Sequence, residues 1–127
     1  MQVVQTATRT APDRGIVLTR ATLNAASRLG LSGRELAQAL GVSEPTVSRM
    51  RKGTYVLEDG TKPFELGALI VRLFRSLDAI AGGDEDVARA WMRAENLALE
   101  ARPSDRISTI TGLIDVVQYL DARRAPL

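Results

Sequence analysis

The twenty residues from Gly33 to Lys52, GRELAQALGVSEPTVSRMRK, decide the architecture of this chain. Ser32 precedes them and Glu35 follows three positions on, the pattern of a capping box that starts a helix. That helix ends at Leu40, because Gly41 follows and glycine accepts the left-handed backbone of a helix stop. Ser43 caps the next helix, whose first turn carries Glu44 and Pro45, where proline is tolerated. Gly53 ends it. Two short helices packed at a steep angle need a small residue at their crossing and a glycine at the turn four positions later. Ala37 and Gly41 meet both needs, and Leu36, Leu40, Val42, Val47 and Met50 are placed to lock the pair together. The spacing predicts a helix-turn-helix.

With Val47 and Met50 turned inward, the second helix presents Glu44, Pro45, Ser48, Arg49 and Lys52 outward. Residues 44–52 span about 13 Å, a fitting length for a DNA major groove about 12 Å wide. The N-terminal part of such a helix meets base edges. Ser43, Glu44, Ser48 and Arg49 are therefore the base-reading candidates, with Thr46 in the same DNA-binding set. Arg49 can fork onto guanine, and Glu44 can accept from a cytosine amino group. Arg51, Lys52 and the helix-start amides near Ser32 suit phosphates. Pro45 reads nothing and Glu44 repels phosphate, which narrows the choice of sequence. A competing reading is a three-helix core that merely looks like a DNA binder. The polar, basic outward face, without an apolar patch, weighs against it.

Outward from this motif the chain reads as all-α: an N-terminal helix-turn-helix module, then a small helical C-terminal domain. Residues 1–15 are polar and aperiodic, a mobile arm. A first helix is expected over Val17 to Leu29, with Leu18, Ala21, Ala25 and Leu29 facing inward. After a loop holding Asp59-Gly60, Pro63 opens the longest helix, to about Ala81. Its stripe is Leu66, Leu69, Ile70, Leu73, Leu77 and Ile80. Phe64, Val71 and Phe74 widen the apolar arc to about 220°, against little more than 100° for an ordinary surface helix. Such a helix is central, or covers a second chain, and a homodimer is expected on that basis. Asp84 caps a helix through Ala94 with Val87, Trp91 and Met92 inward. Pro103-Ser104 starts a short turn. A last helix, Thr109 to Arg123, places Ile110, Leu113, Ile114, Val117 and Leu120 at core spacing. The expected division is 1–15, 16–61 and 62–127.

Composition narrows the function. The 127 residues include neither cysteine nor histidine, which removes thiol nucleophiles, imidazole bases and ordinary zinc sites. No nucleophile–base pair or phosphate loop is visible, so the expectation is no enzyme and no cofactor. Asp84, Glu85 and Asp86 serve the positive end of a helix rather than a metal. No apolar run approaches a membrane span or a signal peptide, and a cytoplasmic protein is expected. The net charge of +2 is unevenly spread. Residues 1–53 hold eight basic and three acidic residues, and the remainder nine basic and twelve acidic. A basic front suits a polyanion, and an acidic back suits a different partner.

The first 53 residues resemble the Xre, phage-repressor-like, helix-turn-helix class. The runs PFELGALIVRLFRSLDAIAGGDEDVARAWMRAENLAL and RPSDRISTITGLIDVVQYLDA resemble the antitoxin family Xre/MbcA/ParS. Its pattern appears as Gly82-Gly83, Ala88 with Trp91, Pro103 and Gly112. The sequence departs from it at Leu97 to Arg102, LALEAR, which lacks the glycine-containing turn, and in the short tail RRAPL. The resemblance implies a type II antitoxin whose back half binds and occludes a toxin, commonly a RES-class enzyme that consumes NAD. It also implies that the front half represses the shared operon on double-stranded operator DNA. Trp91 reads as core and Gly112 as a close-packing or helix-start residue. Tyr119 falls opposite the core stripe, near Arg123 and Arg124. An exposed aromatic there is either a partner anchor or a tyrosine lying along the surface. The expected toxin-binding set is Tyr119, Arg123 and Arg124. The rival function is a stand-alone repressor whose back half only dimerises or senses a ligand.

Overall fold

The structure, a computed structural model, describes residues 13–124. Seven helices occupy them: α1 (Arg14–Leu29), α2 (Gly33–Leu40), α3 (Glu44–Lys52), α4 (Lys62–Ile80), α5 (Glu85–Arg93), α6 (Pro103–Arg106) and α7 (Ile110–Arg124). Residues 1–12 of the expected arm lie outside the described residues. The other three do not belong to an arm: Asp13 accepts the Ile16 amide at 3.1 Å and starts α1 at Arg14. The apolar spacing begins at Val17, but the cap sets the start. Among the described residues no helix is long and apolar enough to cross a membrane.

The central element is α4. Phe64, Leu66, Gly67, Ile70, Val71, Leu73, Phe74, Ser76 and Leu77 are all buried on it. Three helices run side by side in one direction with α4 in the middle. Arg14 lies over Phe64 at one end of the α1–α4 seam, and Arg28 lies over Phe74 at the other. On the opposite flank, Ile110 borders the start of α4 and Asp121 accepts from the Ser76 hydroxyl at 2.8 Å. The wide apolar arc is thus covered within the chain, from two sides. Leu69 is only half-buried and Ile80 is exposed, so these two leave the expected stripe.

Glycine sets the closeness of the α1–α4 seam. A Cβ on Gly67 would lie 2.9 Å from the Thr22 hydroxyl and 3.1 Å from a methyl of Leu57. Threonines take part in the inward face of α1: Thr19 and Thr22 are buried there with Ala25, Ala26 and Leu29, while Leu18 and Ala21 are half-buried. The Thr19 hydroxyl accepts the Leu57 amide at 2.9 Å, which draws the loop after α3 over the seam. One continuous core runs from Ala25 through Leu36, Val47 and Ile70 to Leu120.

The back half departs from expectation by rotation rather than by register of its elements. On α5 the buried residues are Ala88 and Met92, whereas Val87 is exposed and Trp91 half-buried. On α7 Gly112, Leu113, Val116, Val117 and Leu120 are buried, and Ile110 and Ile114 are 50% and 38% exposed. Gly112 explains the turn. It faces inward so closely that an added Cβ would overlap the Arg106 carbonyl. That approach rolls Val116 into the core and the two isoleucines out.

A polar clamp ties the α1–α2 corner to α5. Glu35 closes its capping box with Ser32 and also receives two hydrogen bonds from Arg93 of α5, at 2.5 and 2.8 Å. The same guanidinium donates to the Gly30 carbonyl at 2.6 Å, and Arg89 donates to the carbonyls of Ser27 and Arg28. These carbonyls lie at the end of α1, where Ser27 also accepts the Gly30 amide. The Arg93 bonds, opposed by burial and helped by the Ser32 amide, hold the Glu35 carboxyl at about 2, well below its ordinary 4.5.

Two predictions follow from this architecture. Gly112→Ala should lower stability by about 1–3 kcal/mol, although alanine is the better helix former, and the urea midpoint reads it. An unchanged midpoint would mean that the α6–α7 turn yields freely. Because the folded Glu35 pKa is depressed, the clamp stabilises fully above pH 4.5 and is lost as pH falls toward 2. Glu35→Gln should therefore weaken the protein at neutral pH and flatten the acid limb of its stability curve across that window.

Candidate nucleic-acid interface

The front face is built on α3. Ser43 accepts the Thr46 amide at 3.2 Å, and the two hydroxyls pair at 2.9 Å, so the helix start is fixed before any partner arrives. Thr46, Val47 and Met50 point inward. The buried Thr46 side chain does not face outward as a member of the DNA-binding set would. It turns back to its own helix, where its hydroxyl accepts from Arg49 at 3.1 Å. The Arg49 guanidinium is steadied further by the Tyr55 ring, 6.0 Å away, and its carbonyl accepts both the amide and the hydroxyl of Thr54. Ser43, Glu44, Pro45, Ser48, Arg49, Arg51 and Lys52 all remain exposed. The exposed face thus carries two arginines, a lysine, two hydroxyls and a single carboxylate.

Neighbouring elements extend the basic surface. Arg20 of α1 joins Arg51 and Lys52 around a groove that also takes in Tyr55 and Val56. Tyr55 and Val56 were not among the sequence candidates. Their signal was faint, an aromatic–aliphatic pair three residues past a helix-ending glycine. The start of α2 is not available to a phosphate in the way its amides suggested. The Glu35 carboxylate accepts the Ser32 amide there, and the surface beside it is lined by Ser104, Asp105 and Ser108. An incoming anion would meet the carboxylates of Glu35, already paired with Arg93, and Asp105, with Arg34 beside them.

At the other end of the molecule the structure gathers Tyr119, Arg123 and Arg124 near one helix terminus but gives them different surroundings. Tyr119 is half-buried and stacks on Trp91, with ring centroids 6.1 Å apart and planes 23° from parallel. It is therefore not fully exposed, and its ring lies along the half-buried Trp91 of α5. Arg123 lies over the Tyr119 ring at 4.4 Å, and Arg124 donates to the Ser76 hydroxyl at 3.3 Å. Arg123 therefore presents its guanidinium on an aromatic support, whereas Arg124 reaches back to α4. No group of His, Cys, Asp and Glu able to hold a metal occurs among the described residues.

Comparison with known families agrees with this division. Residues 9–75 match the family model of the antitoxin Xre-like helix-turn-helix domain. Residues 76–125 match that of the antitoxin Xre/MbcA/ParS C-terminal toxin-binding domain. The two matches meet between Arg75 and Ser76, inside α4. The chain matches no curated protein. Both families are binding modules and not enzymes. With an Xre-like reader on α2 and α3, a toxin-binding domain behind it, and one helix common to both, the chain belongs to the Xre/MbcA/ParS antitoxins.

Proposed function

We propose that this antitoxin is cytoplasmic, binds its operator as a homodimer to repress its own operon, and occludes a RES-class toxin that consumes NAD. In this reading residues 16–61 read DNA, and residues 62–127 dimerise and hold the toxin. The observation that carries the DNA half is the exposed basic face of α3, with Arg49 braced by Thr46 and Tyr55. A braced guanidinium loses less freedom on forking onto a guanine edge. Ser43, Glu44 and Ser48 share the base-facing side, while Arg51 and Lys52 at the end of α3 suit phosphates. A two-fold dimer presents its two α3 helices to half-sites about 34 Å apart, or a multiple of that.

The toxin half leans on the family, with Arg123 as its clearest local support. An NAD site accepts a pyrophosphate, and a guanidinium matches phosphate or carboxylate with two parallel hydrogen bonds. Tyr119 carries Arg123 rather than meeting the toxin alone. Arg124 contributes at the edge. The rival, a repressor that merely senses a small ligand, finds less support, because the matched back-half family is described as toxin-binding.

The two halves separate by experiment. Arg49→Ala should cost about 1–3 kcal/mol on the upstream operator and relax base preference, while Lys52→Ala weakens all sequences alike. Gel shifts at two salt concentrations distinguish these outcomes, and full specific binding by the Arg49 variant would remove it from base reading. The double variant Arg123→Asp, Arg124→Asp should keep DNA binding and fail to rescue growth against the co-expressed toxin. Complete rescue would move the toxin contact elsewhere on the back half.

A further inference from the structure

Where α1, the end of α3 and the loop after it meet, they form a groove of about 310 Å³. Ile16 and Arg20 line it from α1, Arg51 and Lys52 from α3, and Tyr55 and Val56 from the loop. Arg20, Arg51 and Lys52 are exposed, and none of them forms an ion pair among the described residues. Arg51 rests its guanidinium against Gly33 at the start of α2, where an added Cβ would lie 3.2 Å from it. Arg20 and Lys52 are thus the cations left to the rim of the groove. Asp13, Glu58 and Asp59 line a separate depression that shares only Tyr55 and Val56 with the groove. There Asp59 is answered by Arg14 at 3.4 Å. The groove itself has no carboxylate in its lining.

Two features tie this groove to the DNA face. The first is continuity. Arg51 and Lys52 end the helix whose exposed side carries Ser48 and Arg49, so a duplex that takes α3 into its major groove runs its backbone past them. Duplex DNA carries one negative charge per about 1.7 Å of its axis, and that strand therefore brings phosphates to the end of α3. Arg20 stands on α1, outside the helix-turn-helix pair, and extends the same basic edge. The second feature is Tyr55, whose side chain lines the groove and whose ring centre lies 6.0 Å from the Arg49 guanidinium. One aromatic adjoins both the groove and the base-reading candidate.

We propose that this groove seats a phosphate of the DNA strand bordering the bases under α3, held by Arg20 and Lys52, and that Tyr55 couples the seat to Arg49. The inference rests on the DNA reading above and adds a sequence-independent contact from α1. A phosphate fixed between α1 and α3 sets the register of the duplex along α3. It also steadies the Tyr55 ring, which limits the swing of Arg49 across base edges. Arg20 thus contributes affinity without preference, whereas Tyr55 contributes preference through its ring.

Binding of the full chain to a duplex from the region upstream of its gene, and to an unrelated duplex of equal length, tests both parts when titrated across salt. Arg20→Ala should weaken both duplexes by the same factor and reduce the slope of log affinity against log salt by about 0.9, the share of one phosphate. Arg75→Ala removes the same charge from α4, where the residue lines a different depression, and should leave the slope unchanged. Tyr55→Leu should cost about threefold in preference for the upstream duplex, the worth of an exposed cation–aromatic contact. Tyr55→Phe, which keeps the ring, should restore that preference. Thermal melts establish that each variant is folded. Equal slopes for the Arg20 and Arg75 variants would overturn the phosphate seat, and an unaltered preference in Tyr55→Leu would overturn the coupling. Either result leaves the DNA reading intact, whereas a wild type that binds neither duplex would overturn that reading itself.

Discussion

The seam between α1 and α4 is the contact on which the rest of the molecule is hung. At Gly67 a side chain would run into the Thr22 hydroxyl and Leu57, so the two helices lie closer than ordinary side chains allow. α1 leads through Gly30 directly into the two helices of the helix-turn-helix. α4 carries α7 on its other flank. Fixing α1 against α4 therefore fixes the front face of the molecule relative to its back. The Arg89 and Arg93 bonds to the end of α1 secure the same relation a second time, from α5. Interiors packed without gaps transmit displacement rather than absorb it, so the two binding faces share one rigid frame.

The elements most legible in the sequence were those governed by local chemistry. Ser32 with Glu35, Gly41, Ser43 and Gly53 mark the bounds of α2 and α3, because caps and stops act within four residues. Rotations were less legible, since they are set by partners far along the chain. Thr19, Thr22 and Ser76 are buried and polar, and a periodicity built on apolar residues passes over them. Thr19 is buried because it takes the amide of Leu57, thirty-eight positions away. Val87 leaves the core of α5, and Ile110 and Ile114 leave that of α7. In α7 the cause is Gly112, whose missing side chain counts for nothing on a hydrophobicity scale yet sets which face turns inward.

The candidate site followed the same rule. The outward positions of α3 could be read from its length and from the inward pair Val47 and Met50. Thr46 could not, because its role depends on Ser43 and Arg49 being present together at one helix start. The surroundings of Tyr119 were not legible either, because they depend on Trp91, a residue on another helix against which its ring stacks. Arg123 gains its rigid presentation from that stack. A side chain's spacing on its own helix says where it starts, and its tertiary neighbour says what it can offer.

The seat of the family boundary inside α4 has a consequence for how such chains can change over time. A helix advances about 100° per residue, so a single inserted or deleted residue between Gly67 and Ser76 would swing everything downstream by that angle. Gly67 faces α1, and Ser76 faces Asp121 on α7. Their angular relation holds only for a fixed count of intervening residues. An exchange that paired the reader of one antitoxin with the toxin-binding half of another would have to cut α4 in phase. The stretch between those two positions is thus a molecular vernier whose length cannot change.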